Sequence, residues 1–143
     1  MKLFLDTSSL IKLYHNEIGT NVLDKLFEEN EIDEIFLSDL AKVEFTSAIW
    51  EKVRTKELTP DFANEIIDSF CDDYIKYTFI SVDSELIDMS RNLVIKYGLK
   101  GLRTLDSIQL ASIIKIKQLV SSAVSADDLL KSLIVLEGIN TSV

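Results

Sequence analysis

The stretch Lys2-Leu3-Phe4-Leu5-Asp6-Thr7-Ser8-Ser9-Leu10 decides the fold, because an apolar run of strand length ends there in a carboxylate followed by hydroxyl side chains. Apolar side chains at every position from 3 to 5 predict a strand covered on both faces, as at the centre of a parallel sheet. Asp6 then lies at the carboxyl end of this strand, where ligands bind in open α/β sheets. Alternatively, Asp6, Thr7 or Ser8 only caps the next helix, since all three accept hydrogen bonds from first-turn amides.

Length and composition indicate one globular domain, residues 1–143. The chain has 143 residues, of which 47% are hydrophobic, and this is enough to bury a sizeable core. No apolar run approaches the roughly 20 residues of a membrane span, and the chain begins with a core strand rather than a signal peptide. We therefore expect a soluble, cytoplasmic protein that does not contact a membrane.

Cysteine content excludes disulfides and thiolate metal clusters, and the net charge argues against non-specific binding of nucleic acid. Cys71 is the only cysteine, so neither an intrachain disulfide nor a thiolate metal cluster can form. The formal net charge of −9 argues against non-specific binding of nucleic acid, because that affinity comes from Lys and Arg side chains that displace counterions. A phosphate-containing substrate would therefore need metal ions or a local basic patch.

Hydrophobic periodicity predicts alternating strands and helices in the rest of the chain. Further strands are predicted at 35–37, 78–82, 123–125 and 139–143, although residues 133–136 compete with the last of these by strand propensity. Helices are predicted at 10–14, 21–29, 39–56, 60–77 and 105–119, with one that begins at Asp83 or Ser84 and ends at Gly98 and another that begins at Asp127 or Asp128. Ser38 and Thr104 are the predicted N-caps of the helices that follow them.

Glu44 occupies an unexpected position in the third predicted helix. At about 100° per residue it shares a face with Leu40, Val43, Ser47 and Ala48, so a carboxylate points where an apolar side chain is expected. An inward carboxylate without a partner costs on the order of several kcal/mol, which suggests a compensating cation or a hydrogen-bonded site. The alternative is that this edge of the helix is exposed to solvent.

Three aspartates, Asp6, Asp106 and Asp127, lie at predicted strand ends or helix starts. In a parallel α/β topology these positions meet at one edge of the sheet, and Glu44 faces inward from an intervening helix. Carboxylates that converge without comparable basic partners repel one another, and a divalent cation resolves that conflict. Oxygen ligands without His or Cys indicate Mg²⁺ or Mn²⁺. Asp106 also has a structural alternative, since the helix dipole stabilises any carboxylate in a first turn.

Four blocks of sequence resemble the PIN-domain ribonucleases, and most closely their VapC-type toxin branch. The blocks are Leu5-Asp6-Thr7-Ser8-Ser9-Leu10 with Lys12-Leu13-Tyr14, then Val43-Glu44, then Arg103-Thr104-Leu105-Asp106-Ser107-Ile108-Gln109-Leu110-Ala111, and finally Val124-Ser125-Ala126-Asp127. The third block is the most specific, and together the blocks span essentially the whole chain. The resemblance implies an α/β fold with a single PIN domain, in which helices flank a parallel five-stranded sheet.

The resemblance also implies a catalytic site. Carried over by position, the acidic quartet is Asp6, Glu44, Asp106 and Asp127. Metal ions bound by the three aspartates would activate water for phosphodiester hydrolysis, and Glu44 would hold or orient that water. Because the chain after Asp127 looks about one residue shorter than the family pattern, Asp128 is an alternative fourth acid.

A substrate and partners follow from the same resemblance. Ser8 would donate a hydrogen bond to a phosphate oxygen or to a ligand carboxylate, and Arg103 would contact a phosphate. The implied reaction is Mg²⁺- or Mn²⁺-dependent cleavage of single-stranded RNA. The toxin branch further implies a homodimer and a small antitoxin protein whose tail covers the site.

Three other functions stay open at this point. An aspartyl-phosphate phosphatase also has an Asp at the end of its first strand, but it needs an acid two residues later, where Ser8 stands. A PIN-domain nuclease of RNA processing would have the same site without an antitoxin. A non-catalytic binding module on the same fold is disfavoured because all four acids are present.

Overall fold

A parallel sheet of four strands forms the centre of the computed structural model, which describes residues 1–143. The strands are β1 (Lys2–Leu5), β2 (Glu34–Ser38), β3 (Tyr77–Ile80) and β4 (Ser122–Val124), in the order β3-β2-β1-β4. β1 lies between β2 and β4, with Phe4 opposite Phe36 on one side and Ala123 on the other. Residues 3–5 are fully buried. The prediction of a central strand at the start of the chain is therefore confirmed.

The predicted fifth strand at 139–143 is wrong. The preceding helix, α7 (Asp128–Leu136), contains the segment that competes by strand propensity, and the chain then turns at Gly138, where φ is +77°. Beyond this turn the backbone forms only a single parallel bridge, between Ala123 and Thr141. β4 has only three residues, so its outer edge offers too few peptide groups to pair with a full strand.

Helices cover both faces of the sheet. Besides α7 they are α1 (Thr7–Ile11), α2 (Thr20–Glu29), α3 (Ala41–Arg54), α4 (Pro60–Asp72), α5 (Ser84–Tyr97) and α6 (Thr104–Lys115). The helices predicted at 60–77 and 105–119 end earlier than expected. A 3₁₀ turn at Asp73–Lys76 takes over from α4 before β3 begins, and another at Gly98–Lys100 follows α5.

The two predicted N-caps, Ser38 and Thr104, are wrong. Ser38 is the last residue of β2, and its Oγ accepts a hydrogen bond from the Leu40 amide at 3.2 Å, because a turn separates this strand from α3. Thr104 is already the first residue of α6, and Arg103 precedes it in an extended conformation without a capping side chain.

Two hydrophobic clusters bury the sheet, one on each face. Leu3 and Leu5 of β1 belong to the cluster that contains Phe45 of α3 and Phe70 of α4. Phe4 points the other way, into the cluster formed with α5, α6 and α7. This alternation is that of a strand with both faces covered.

The start of α6 is held in place by the burial of the turns that follow it. Residues 107–113 are all buried, although Ser107, Gln109 and Ser112 are polar. Asp106 immediately precedes this stretch, so its position relative to the sheet is well defined. None of the seven helices is long and apolar enough to cross a membrane.

Candidate active site

Asp6 lies directly after β1 and is the N-cap of α1, with only 4% of its surface exposed. Its carboxylate accepts hydrogen bonds from the Ser9 amide at 2.9 Å, the Ser8 hydroxyl at 2.8 Å and the Ser125 hydroxyl at 2.5 Å. Burial raises the pKa of Asp6, and these hydrogen bonds offset part of the effect. Asp6 is thus a helix cap, as the alternative had it, but capping accounts for one amide donor and not for two further hydroxyls.

Ser8 and Ser125 join the ends of the neighbouring strands β1 and β4. The Ser125 Oγ donates to Asp6 and accepts a hydrogen bond from the Asp127 amide at 3.0 Å. The Ser8 Oγ in turn accepts a hydrogen bond from the Ala126 amide at 3.1 Å. The structure therefore places the Ser8 hydroxyl against the Asp6 carboxylate. The predicted roles of Ser8 toward a phosphate or a ligand of a metal ion stay predictions.

Glu44 is half-buried near the start of α3. Its Oε1 atom accepts hydrogen bonds from the Thr7 hydroxyl at 3.0 Å and from the Gln109 amide nitrogen at 2.8 Å. Burial raises the pKa of Glu44, and the two hydrogen bonds lower it in part. The negative charges of Asp106 and Asp6 raise the same pKa further, so Glu44 lies within the electrostatic reach of both aspartates.

The apolar face predicted around Glu44 is wrong. Val43 is 68% exposed, and the buried residues of α3 are Ala41, Phe45 and Ile49. These follow one another at intervals of four, so the core face of the helix is rotated by one residue from the predicted one. Glu44 borders this face and is partly covered by its hydrogen-bond donors rather than by the core.

Asp106 lies in the first turn of α6 and is half-buried. Burial raises its pKa, and so do the charges of Asp127 and Asp6. Arg103 lowers this pKa, but no hydrogen bond or ion pair joins the Asp106 carboxylate to any protein group. Asp106 therefore interacts with the other acids through its charge while its oxygens stay available to a ligand.

Asp127, rather than Asp128, is the acid beside Asp106. Asp127 is the N-cap of α7, and its Oδ1 accepts a hydrogen bond from the Leu130 amide at 2.7 Å. The Asp128 side chain is fully exposed and pairs only with Lys131, at 3.8 Å. Of the two, only Asp127 contributes its charge to the pKa of Asp106.

An open cleft of about 430 Å³ borders this group of acids and is lined by Glu44, Arg103, Thr104, Leu105 and Asp106. We call it the acidic cleft. The guanidinium of Arg103 is exposed and forms no ion pair. The cleft therefore brings two carboxylates and one uncommitted cation to the same space.

A second cavity, of about 230 Å³, is mainly apolar and reaches the hydrogen-bond donors of Asp6 from another side. Its lining includes Ser9 and Ser125 together with Ile18 and Val22. Ile18 is 98% exposed and Val22 is 45% exposed. Apolar surface that is open to solvent thus adjoins the site.

The acidic cluster, which consists of Asp6, Glu44, Asp106 and Asp127, has the donor chemistry of a site for a hard divalent cation. All of its donors are carboxylate oxygens, and no ion pair neutralises them. As the side chains stand, no three acidic, histidine or cysteine side chains enclose an ion. Mg²⁺ usually retains several waters and binds through one or two carboxylates, so Asp106 and one neighbouring acid fit a hydrated ion.

Most of the chain, including the acidic cluster, matches the model of one protein family. Residues 3–133 match the model of the PIN domain. The chain belongs to the PIN domain family. The matched region contains all four acids of the cluster and confirms the resemblance seen in the sequence blocks.

Two solved structures share the fold of this PIN domain. VapC20 from Mycobacterium tuberculosis, a toxin that cleaves the sarcin-ricin loop, has a TM-score of 0.71 and 13% identity, with 92% of this chain and 94% of VapC20 covered. VapBC2 from Rickettsia felis, bound to a DNA fragment from its promoter, has a TM-score of 0.57 and 15% identity, with 89% and 88% covered. A search of curated protein sequences found no match.

Three side chains of the site were not predicted to take part in it: Thr7, Gln109 and Ser125. All three are neutral hydrogen-bond donors, and they contact the acids rather than a substrate. Their signal in the sequence is a polar side chain at a position that should be buried. Gln109, between Ile108 and Leu110 in an otherwise apolar stretch, shows it most clearly.

Proposed function

We propose that this PIN domain is a metal-dependent endoribonuclease that hydrolyses phosphodiester bonds in single-stranded RNA. The observation that carries the proposal is the acidic cluster, in which burial and the charges of neighbouring carboxylates raise the pKa of Glu44 and of Asp106 while Asp106 has no protein partner. Convergent, partly buried carboxylates destabilise the folded state at neutral pH. Helix capping explains the placement of Asp6 and Asp127 but not the convergence of four carboxylates, whereas a cation-binding role does.

Asp106, together with a neighbouring acid, Asp6 or Asp127, would hold a hydrated Mg²⁺ or Mn²⁺. A bound ion of this kind lowers the pKa of a water and neutralises charge on the scissile phosphate. Asp6 is fixed by three hydrogen-bond donors, so it provides a rigid ligand. Asp106 has no such donors and can turn toward an ion that enters the acidic cleft.

Glu44 and Arg103 supply the remaining groups of the cleft. The Oε1 atom of Glu44 is held by hydrogen bonds, whereas Oε2 has no protein partner in the cleft that Glu44 lines. An ionised Glu44 would orient the attacking water or accept its proton there. Arg103 would contact a phosphate oxygen of the RNA and so fix the position of the chain to be cut.

The test is cleavage of total cellular RNA and of a labelled single-stranded RNA of mixed sequence by the purified protein. We expect cleavage with Mg²⁺ or Mn²⁺, none in EDTA, and rates at least about 10²-fold lower in Asp6→Asn and Asp106→Asn, because each removes a charged ligand. Asp128→Asn is the matched control, since its exposed side chain pairs only with Lys131. Cleavage at an unchanged rate in EDTA, or an equal loss in Asp128→Asn, would contradict the proposal.

We further propose that the protein is the toxin of a type II toxin–antitoxin pair, acting in the cytoplasm as a homodimer whose acidic cleft is covered by a small antitoxin. Similarity of fold to VapC20 and to VapBC2 supports this proposal. So does the apolar cavity with Ile18 and Val22, which an apolar segment beside the cleft would fill. An antitoxin arginine would pair with carboxylates such as Asp106.

Co-expression with the protein encoded next to this gene tests the partner. We expect the two to co-purify, RNA cleavage to be inhibited, and Ile18→Asp to weaken the complex without slowing cleavage by the free protein. Ile75→Asp, at a site that is 92% exposed in the 3₁₀ turn after α4, is the matched control. If the protein is monomeric and cleaves RNA, and the protein encoded by the adjacent gene neither binds nor inhibits it, the function would instead be that of an RNA-processing nuclease without an antitoxin.

A further inference from the structure

Thr7 and Gln109 form a buried support behind Glu44. Thr7 is the first residue of α1 and is 8% exposed, whereas Gln109 lies in α6 and is 3% exposed. Glu44 itself comes from α3. Three helices that are separate in sequence therefore meet at one carboxylate, and the two supporting side chains are too buried to contact RNA.

The hydrogen bonds of this support have a defined direction. The Gln109 amide nitrogen donates both to the Thr7 hydroxyl oxygen at 3.1 Å and to Glu44 Oε1 at 2.8 Å. The Thr7 hydroxyl then donates its own hydrogen to Glu44 Oε1 at 3.0 Å. Glu44 Oε1 thus accepts two hydrogen bonds, one directly from Gln109 and one from Thr7, which Gln109 holds in place. Oε2 has no protein partner in the acidic cleft.

The arrangement leaves the carbonyl oxygen of the Gln109 amide without a hydrogen bond. Gln109 Oε1 is buried and has no hydrogen-bond partner. Nearly all buried polar atoms in folded proteins are paired, so an unpaired one requires an explanation. Turning the amide over would place this oxygen against Glu44 Oε1, which is unfavourable as long as Glu44 is ionised. The observed orientation is the one that serves an ionised Glu44.

We propose that Thr7 and Gln109 are positioning residues that hold Glu44 ionised, with Oε1 tied to the protein and Oε2 directed to the cleft. Neither side chain touches the substrate; both act through Glu44. The inference rests on the proposed nuclease function, because it assigns the two residues to the same site. It also makes a statement about Glu44 that can be measured without RNA.

The kinetic test compares Thr7→Val and Thr7→Ser. Valine keeps the shape of threonine but lacks the hydroxyl, so kcat for RNA cleavage should fall at least about tenfold, as expected when a catalytic group is misplaced, with KM changed less than about twofold. Thr7→Ser keeps the donor and should restore most of kcat. Gln109→Met, which keeps the length of the side chain without its amide, should resemble Thr7→Val.

Two controls separate positioning from a loss of structure. Thr46→Val removes a hydroxyl that donates to the Lys42 carbonyl within α3, and it should leave kcat unchanged. In a Glu44→Ala background, Thr7→Val should have no further effect on kcat, because residues that act through one another are not additive. An additive loss in the double variant, or no rescue by serine, would overturn the proposal.

The independent readout is the ¹³C NMR titration of the Glu44 carboxyl group in metal-free protein. The two donors stabilise the ionised form, so Thr7→Val and Gln109→Met should each raise the pKa of Glu44 above that of the wild type. An unchanged pKa in both variants would overturn the proposal even if kcat falls. If the wild type cleaves no RNA, the proposed function fails, but the titration still decides whether these residues hold Glu44 ionised.

Discussion

Asp106→Asn should change thermal stability in opposite directions with and without a divalent cation. Burial and the charges of Asp127 and Asp6 raise the pKa of Asp106, so the folded state disfavours its ionised form. The resulting destabilisation is absent below the unfolded-state pKa, grows as the pH rises, and is complete above the folded-state pKa. Near pH 7 and without metal, the asparagine variant should therefore be at least as stable as the wild type.

The expected gain from this variant is small. Each unit of pKa elevation corresponds to about 1.4 kcal/mol when it is fully expressed, but solvent screens the half-exposed Asp106, which limits the gain to less than about 1 kcal/mol. Losing an anion from the first turn of α6 offsets about 0.3–1 kcal/mol. Because 1 kcal/mol moves Tm by about 2–4 °C in a chain of this size, the metal-free Tm should rise by no more than about 3 °C.

Mn²⁺ should reverse this order of stability. An ion at about 100 times its Kd that binds only the folded state contributes about 2.7 kcal/mol, or about 5–10 °C in Tm. The wild type should gain this amount. Asp106→Asn should gain little, because it lacks the one carboxylate of the cluster that has no protein partner.

The assay is a set of thermal melts of the wild type, Asp106→Asn and Asp128→Asn at pH 7, each with and without Mn²⁺. Asp128→Asn should shift with metal as the wild type does, since the Asp128 side chain is fully exposed and pairs only with Lys131. In metal-free melts, the advantage of Asp106→Asn should shrink as the pH falls toward the unfolded-state pKa of aspartate, about 3.9, because the destabilising charge of Asp106 is lost on protonation. Equal metal-induced shifts in the wild type and Asp106→Asn would refute the reasoning and leave Asp106 as a helix-dipole anion.

Two further variants test individual contacts of the site. Ser125→Ala should lower the free energy of unfolding by about 1–3 kcal/mol at pH 7, because buried Asp6 loses a hydrogen-bond donor. The loss should diminish at low pH, where Asp6 is protonated. Urea titrations at several pH values measure this loss, and Ser132→Ala, at an exposed serine, is the control. Arg103→Ala should raise KM for RNA about tenfold, or about 1.4 kcal/mol, and reduce the salt-dependence slope of binding by about 0.7, with kcat nearly unchanged. A fall in kcat at constant KM would assign Arg103 to the chemical step instead.

Local patterns were sufficient to predict β1 and the place of Asp6. A fully apolar run of three residues predicts a strand buried on both faces, and β1 is the central strand of the sheet. The carboxyl end of such a strand is the ligand-binding edge of the fold. Both signals lie within a few residues of each other, so no knowledge of the tertiary structure was needed.

The wrong predictions concern features that depend on how strands and helices pack against one another. Residues 139–143 have strand propensity, but β4 has only three residues, and the segment forms a single bridge to it, between Thr141 and Ala123. Ser38 has the hydroxyl side chain of a typical N-cap, but it is the last residue of β2 and does not directly precede α3. The face assigned to Glu44 failed for the same reason, since the neighbours of α3 and not its own periodicity decide which stripe is buried.

The donors of the site were missed because they come from distant parts of the chain. The hydrogen bond from Ser125 to Asp6 joins residues 119 positions apart, and that from Gln109 to Thr7 joins residues 102 positions apart. No local period encodes such contacts. The choice between Asp127 and Asp128 is of the same kind, because both are polar helix-start residues and only the tertiary structure puts Asp127 beside Asp106.

The acids of the cluster differ in what compensates their charge, and under the proposed function this difference explains how an acidic protein would act on RNA. The protein surrounds Asp6 with three donors and Glu44 with two, but it provides none for Asp106. A chain of net charge −9 repels a polyanion unless positive charge is concentrated where the phosphate must lie. Under the proposed function, the Asp106 carboxylate beside the unpaired Arg103 would meet that need, since a cation held there would add its charge to that of the guanidinium. Because hydrogen bonds already hold the Asp6 carboxylate whereas that of Asp106 is open, the proposed function makes Asp106 the carboxylate that would take the ion, and RNA binding and metal binding would then be coupled at the acidic cleft.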